Sequence, residues 1–119
     1  MTGASGEGAG TPGGVDFDYL EGFAAGDMVV VTEVLNLFQG QAAGWLAELD
    51  APPSTLPAGR WRDLAHTIKG ASRGIGAGAL ADVADRAERG DPAMAGELRA
   101  ALVAARADIE GYLSRIGGG

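Results

Sequence analysis

Apolar residues recur along this chain three and four positions apart, the spacing of helices that turn one face inward. The segment after Asp27 shows this most fully. Val30, Val31, Val34, Leu35, Phe38, Ala42, Trp45, Leu46 and Leu49 follow the helical period as far as about Asp50. The valines alone would suit a strand, but the length and the continuing period decide for a helix. Asp27 supplies its N-cap, while Gly40 and Gly44 weaken it but permit close packing. Ahead of it, Asp16 caps a short helix over about 17–25 with Phe17, Leu20 and Phe23 as its apolar positions, stopped by Gly26. Ala51 to Pro57, with three prolines, reads as a loop. A third helix runs from about Ala58 to Ile75 and is broken by Gly74, Gly76 and Gly78. A fourth covers about Ala79 to Arg89, with Leu80, Val83, Ala84 and Ala87 inward and Gly90 closing it. Asp91-Pro92 opens the fifth, which reaches about Ile116 with Leu98, Leu102, Ala105, Ile109, Tyr112 and Leu113 on one stripe. The pattern predicts an all-α fold, an antiparallel up-down four-helix bundle with a short N-terminal capping helix, over residues 15–116. Residues 1–14 hold six glycines and read, like 117–119, as a flexible tail.

Composition narrows the possible chemistry. A chain of 119 residues suits one domain with a single core. With no Cys, disulfides, thiolate metal sites and cysteine nucleophiles are excluded, and one His without an HExxH pattern predicts no metal site. Residues 1–59 carry eight acids and no Lys or Arg, whereas residues 60–119 carry nine basic residues against eight acids. The net charge of −7 argues against nucleic acid as a partner, since phosphate neutralisation needs a basic face. No apolar run, Met28 to Val31 among them, is long enough to span a bilayer, and no basic-then-apolar leader opens the chain. A cytoplasmic protein without membrane association is expected.

The single histidine lies in "DLAHTIKGASRGIGAGAL", residues 63–80. On a helical wheel Trp61, Leu64, Ala65, Ile68, Ser72 and Ile75 share one face, and His66 lies roughly 140° from Trp61. It points outward. Arg62, Lys69 and Arg73 fall on the same side, and Gly70 sits one turn beyond the ring. Three like charges disfavour the imidazolium and leave a nucleophilic imidazole, and they would stabilise a dianion placed on it. Gly70 costs about 1 kcal/mol against Ala inside a helix, and beside an outward His its use is to leave room for a second macromolecule.

These residues resemble the signature of the histidine-containing phosphotransfer (Hpt) domains of two-component phosphorelays. That signature is a His followed by a large aliphatic, Lys-Gly, a small pair, and a Gly ten residues on, here His66, Ile68, Lys69, Gly70, Ala71-Ser72 and Gly76. The likeness extends to Leu80 and the LADVADRAE segment, and in outline to residues 16–116. It implies that His66 accepts a phosphoryl group on Nε2 from a receiver-domain aspartate and passes it to another. Lys69 would lie near the phosphoryl oxygens and Gly70 would give clearance. Glu88, 22 residues after the His, would orient the imidazole through Nδ1 unless it pairs with Arg86 or Arg89 instead. Arg62 and Arg73 are assigned to the phosphoryl group on electrostatic grounds alone. The resemblance further implies receiver docking on Thr67, Ala71 and Gly74 with the first helix as rim, Leu20 or Ala77 being exposed there. Partners would be response-regulator receivers and a hybrid histidine kinase. No cofactor of its own is implied, Mg²⁺ belonging to the receiver. A monomer is expected.

A phosphocarrier without kinase activity fits better than an enzyme, because the acids lie scattered with no carboxylate pair placed for acid–base work. A kinase dimerisation helix pair fits less well, since Thr67 stands where an acidic residue would follow the His. The alternative from another class is a non-catalytic helical adaptor with an incidental surface His66.

Overall fold

The computed structural model describes residues 13–50, 58–89 and 94–117, and five helices account for nearly all of them. They are α1 (Phe17–Phe23), α2 (Met28–Asp50), α3 (Ala58–Gly74), α4 (Gly78–Glu88) and α5 (Ala95–Gly117). The caps act as the sequence predicts. The Asp16 carboxylate accepts from the Tyr19 amide at 3.2 Å, and Asp27 accepts from Val29 and Val30 at 3.1 and 3.3 Å. Helix α1 ends at Phe23, two residues early, because Ala25 and Gly26 both take positive φ, 54° and 80°. The predicted loop at 51–57, the Gly90 stop, the Asp91-Pro92 start and the tails at 1–12 and 118–119 fall outside the described residues.

Cross-helix contacts set the directions. Glu48 meets Arg60 from α2 to α3, and the Trp61 indole donates to the Ala87 carbonyl, start of α3 to end of α4. Arg86 meets Glu97 from α4 to α5, while Asp50 meets Arg99 and Gln39 meets Arg106 between α2 and α5. Each helix therefore runs against its neighbours, and α5 closes the ring on α2. This is an up-down four-helix bundle with α1 laid across one end.

The core is the inward stripe of each helix. Leu35, Leu64, Ile68, Leu80, Leu98, Leu102 and Ile109 are fully buried, each contributing about 1.5–3 kcal/mol relative to exposure. Alanines 42, 65, 84, 87 and 105 are buried among them and let the backbones approach. At the α1 end, Phe17 stacks on Tyr112 with centroids 4.1 Å apart, and the Tyr112 hydroxyl donates to Glu21. Burial, then that carboxylate, push the phenol above its ordinary value.

Some inward assignments are corrected. Phe23 is 76% exposed and Val30 also faces solvent, because α1 turns only Phe17 and Leu20 inward and Val30 stands off the buried stripe of Val31, Leu35 and Phe38. Gly40 and Gly44 touch nothing across the bundle, so close packing does not explain them. The packed chain also reaches back to Gly13, whose missing side chain lets it lie on Ala104 and the buried Asp108 of α5. Asp108 accepts from the Val15 amide at 3.3 Å. Val15 then pairs with Ala77, and Asp16 donates to the Gly76 carbonyl at 2.9 Å. Gly76 has φ 81°, and a Cβ there would stand 2.7 Å from the Asp16 oxygen. The glycine ten residues after the His is required at this crossing.

Candidate functional site

The inward stripe of α3 is Trp61, Leu64, Ala65, Ile68 and Ser72, all buried. That seating turns His66 outward, and its side chain is 68% exposed. Gly70 is exposed one turn away, and a Cβ built on it would meet nothing within 4 Å. The surface beside the ring is open.

Helix α4 comes up antiparallel beside α3, so its last turn reaches the level of His66. Glu88 Oε2 lies 2.8 Å from His66 Nδ1. Glu88 Oε1 lies 2.6 Å from Lys69 Nζ, and Asp85 Oδ1 receives the same ammonium at 3.2 Å. The ion pair with Lys69 first, then the contact with His66, hold the Glu88 carboxyl below its ordinary value. Glu88 and then Asp85 raise Lys69 above its own. Near neutral pH the carboxylate is ionised and can only accept a hydrogen bond. The proton of the neutral ring therefore sits on Nδ1, and Nε2 keeps a free lone pair on the solvent side.

The structure brings together His66, Lys69 and Glu88, with Gly70 beside them. Glu88 does not pair with Arg86 or Arg89, which take Glu97 and Asp85 instead. The electrostatics differ from expectation. The nearest charge to the ring is negative, and Lys69 is drawn into the α3–α4 seam with a side chain only 16% exposed. Arg62 and Arg73 are exposed and make no ion pair among the described residues. Arg73 lines a groove with Asp16, Tyr19, Gly76 and Gly78, toward the end of the bundle where α1 lies.

Sequence reasoning missed Asp85. The acids are not all scattered, since Asp85 and Glu88 stand three apart on one face of α4 and share Lys69. Their three-residue spacing was visible in the sequence, but their place opposite the basic flank of α3 was not.

On the other flank of α3, Thr67 and Gly74 are exposed and Ala71 is half-buried. Ala71 and Gly74 line a shallow apolar groove with Ile75 and with Val34, Leu37 and Phe38 of α2. Leu37 is 69% exposed there. Leu20 and Ala77, expected on this rim, are buried, at 1% and 0%, because α1 and the α3–α4 turn pack onto the core. Tyr19 and Phe23 are the exposed large apolar residues of α1. Among the described residues no helix is long and apolar enough to cross a membrane.

Comparison with known proteins gives a consistent picture. The family model described as "Hpt domain" matches residues 33–116. Among solved structures, the histidine phosphotransferase ShpA from Caulobacter crescentus is similar at 50% identity with a TM-score of 0.74. That match covers 87% of this chain and 93% of ShpA. None of the curated proteins matches the chain.

Proposed function

The chain belongs to the Hpt-domain family and serves as a phosphorelay intermediate, and on that premise we propose that His66 is the residue that carries the phosphoryl group. Hpt domains are phosphocarriers that interact with receiver domains and histidine kinases. One observation carries the assignment to His66: its Nδ1 is anchored 2.8 Å from an ionised Glu88, an arrangement that in the neutral ring puts the lone pair on Nε2, with open space at Gly70 one turn away.

The step follows from that arrangement. The Nε2 lone pair attacks the phosphorus of an aspartyl phosphate on a receiver domain. A P–N bond forms as the P–O bond to the aspartate breaks, and the aspartate leaves as a carboxylate. The ring retains its Nδ1 proton and becomes positive, a charge that Glu88 offsets. Onward transfer to a second receiver is the same exchange in reverse. Lys69, turning outward from the seam, would reach the phosphoryl oxygens, and Arg62 and Arg73 would add positive potential.

The chain needs no cofactor of its own in this reading, the receiver bringing the Mg²⁺ that steadies the transferring group. It lacks kinase activity and acts as a cytoplasmic monomer between a hybrid histidine kinase and response-regulator receivers. Thr67, Ala71 and Gly74 supply the docking surface, continuous with the apolar groove on α2, and Tyr19 and Phe23 form its rim.

The test is transfer from a phosphorylated receiver. Acid-labile, alkali-stable phosphate is expected on the wild-type chain and none on His66→Gln. An adaptor with an incidental histidine would acquire no label, and the two proteins would then behave alike.

A further inference from the structure

Lys69 has the reach to place its ammonium in solvent beside the ring, yet it lies in the α3–α4 seam. Two carboxylates hold it there, Glu88 at 2.6 Å and Asp85 at 3.2 Å. These acids are neighbours on one helix face, where like charges repel unless a cation stands between them. Asp85 is itself anchored, its second oxygen taking Arg89 at 3.0 Å. The two grips on Lys69 are not equivalent. Glu88 is committed to the imidazole through its other oxygen, whereas Asp85 touches neither the ring nor any group bound to it. The Asp85 contact is also the longer, so it is the one that yields when the ammonium turns outward.

We propose that Asp85 is a positioning residue for phosphotransfer: by gripping Lys69 it sets how readily that ammonium moves to a phosphoryl group on His66. The inference rests on His66 being the carrier. Before transfer, Asp85 and Glu88 neutralise Lys69, which is held off the Nε2 edge. A dianionic phosphoryl group at Nε2 competes for the ammonium, and each increment of Asp85's hold counts against the phosphorylated state. Asp85 thereby keeps the phosphohistidine from becoming a trap. The charges acting on Asp85 itself are Lys69, Arg89 and Arg73.

The experiment measures the equilibrium of phosphoryl exchange with one purified receiver, for the wild type, Asp85→Asn and Asp85→Glu, each with Lys69 intact and as Lys69→Gln. Asp85→Asn is expected to shift the equilibrium about two- to fivefold toward phosphohistidine, the size set by a partly exposed ion pair. Asp85→Glu should restore the wild-type value, and the shift should vanish in the Lys69→Gln background. An unchanged equilibrium, or the same shift without Lys69, overturns the proposal. A second readout needs no phosphate: hydrogen exchange at the ¹⁵N-labelled Lys69 ammonium, faster in Asp85→Asn than in the wild type. If the wild type accepts no phosphoryl group, the carrier assignment fails, and the ammonium exchange still decides whether Asp85 holds Lys69. Equal exchange in the two proteins overturns it.

Discussion

Helix α3 is held very differently by its two neighbours. Against α4 it is sealed by the buried Trp61, by closely approaching alanines, and by the network of His66, Lys69, Asp85 and Glu88. Against α2 it leaves an apolar groove with Leu37 standing in solvent. The closed seam fixes the orientation of the imidazole. The open one leaves apolar surface available to a partner, next to the reactive edge. Rigidity and access thus sit on opposite flanks of one helix.

That contrast can be tested by unequal mutations. The largest effect is expected in the closed seam, where Trp61→Ala should cost about 3–5 kcal/mol in urea unfolding. Gly70→Leu should slow transfer from a receiver by about tenfold or more through steric misplacement. The same change should leave stability equal or raise it by up to about 1 kcal/mol, since glycine is a poor helix former. Leu37→Ala, in the open seam, should change stability by less than about 0.5 kcal/mol while weakening receiver binding in a titration. Acid should act on the closed seam through its two carboxylates. Glu88 and Asp85 have lowered folded values, so their contribution is complete above the unfolded value of about 4 and is lost as pH falls below it. The Tm difference between wild type and Glu88→Gln should hold across neutral pH and close on acidification below that range.

The helices, their caps and the outward histidine were legible because each follows from spacing along one element. Glu88 was legible only through the resemblance, by its distance from His66. The direction of Lys69 was not legible. A helical wheel places it on the boundary between core and surface and says nothing about which neighbour lies on that flank. Asp85 was missed for the same reason, its role existing only once α4 lies antiparallel to α3. Gly76 read as a helix breaker, and its contact with Asp16 depends on a chain segment sixty residues away. Phe23 misled because an apolar residue at helical spacing is inward only if the bundle extends far enough to cover it.

The hydrogen bond from the Trp61 indole to the Ala87 carbonyl has a practical consequence. Ala87 immediately precedes Glu88, so the indole is coupled to the turn that orients the imidazole. Its fluorescence, isolated in a Trp45→Phe background, would follow movement of that turn during turnover, with no dye attached.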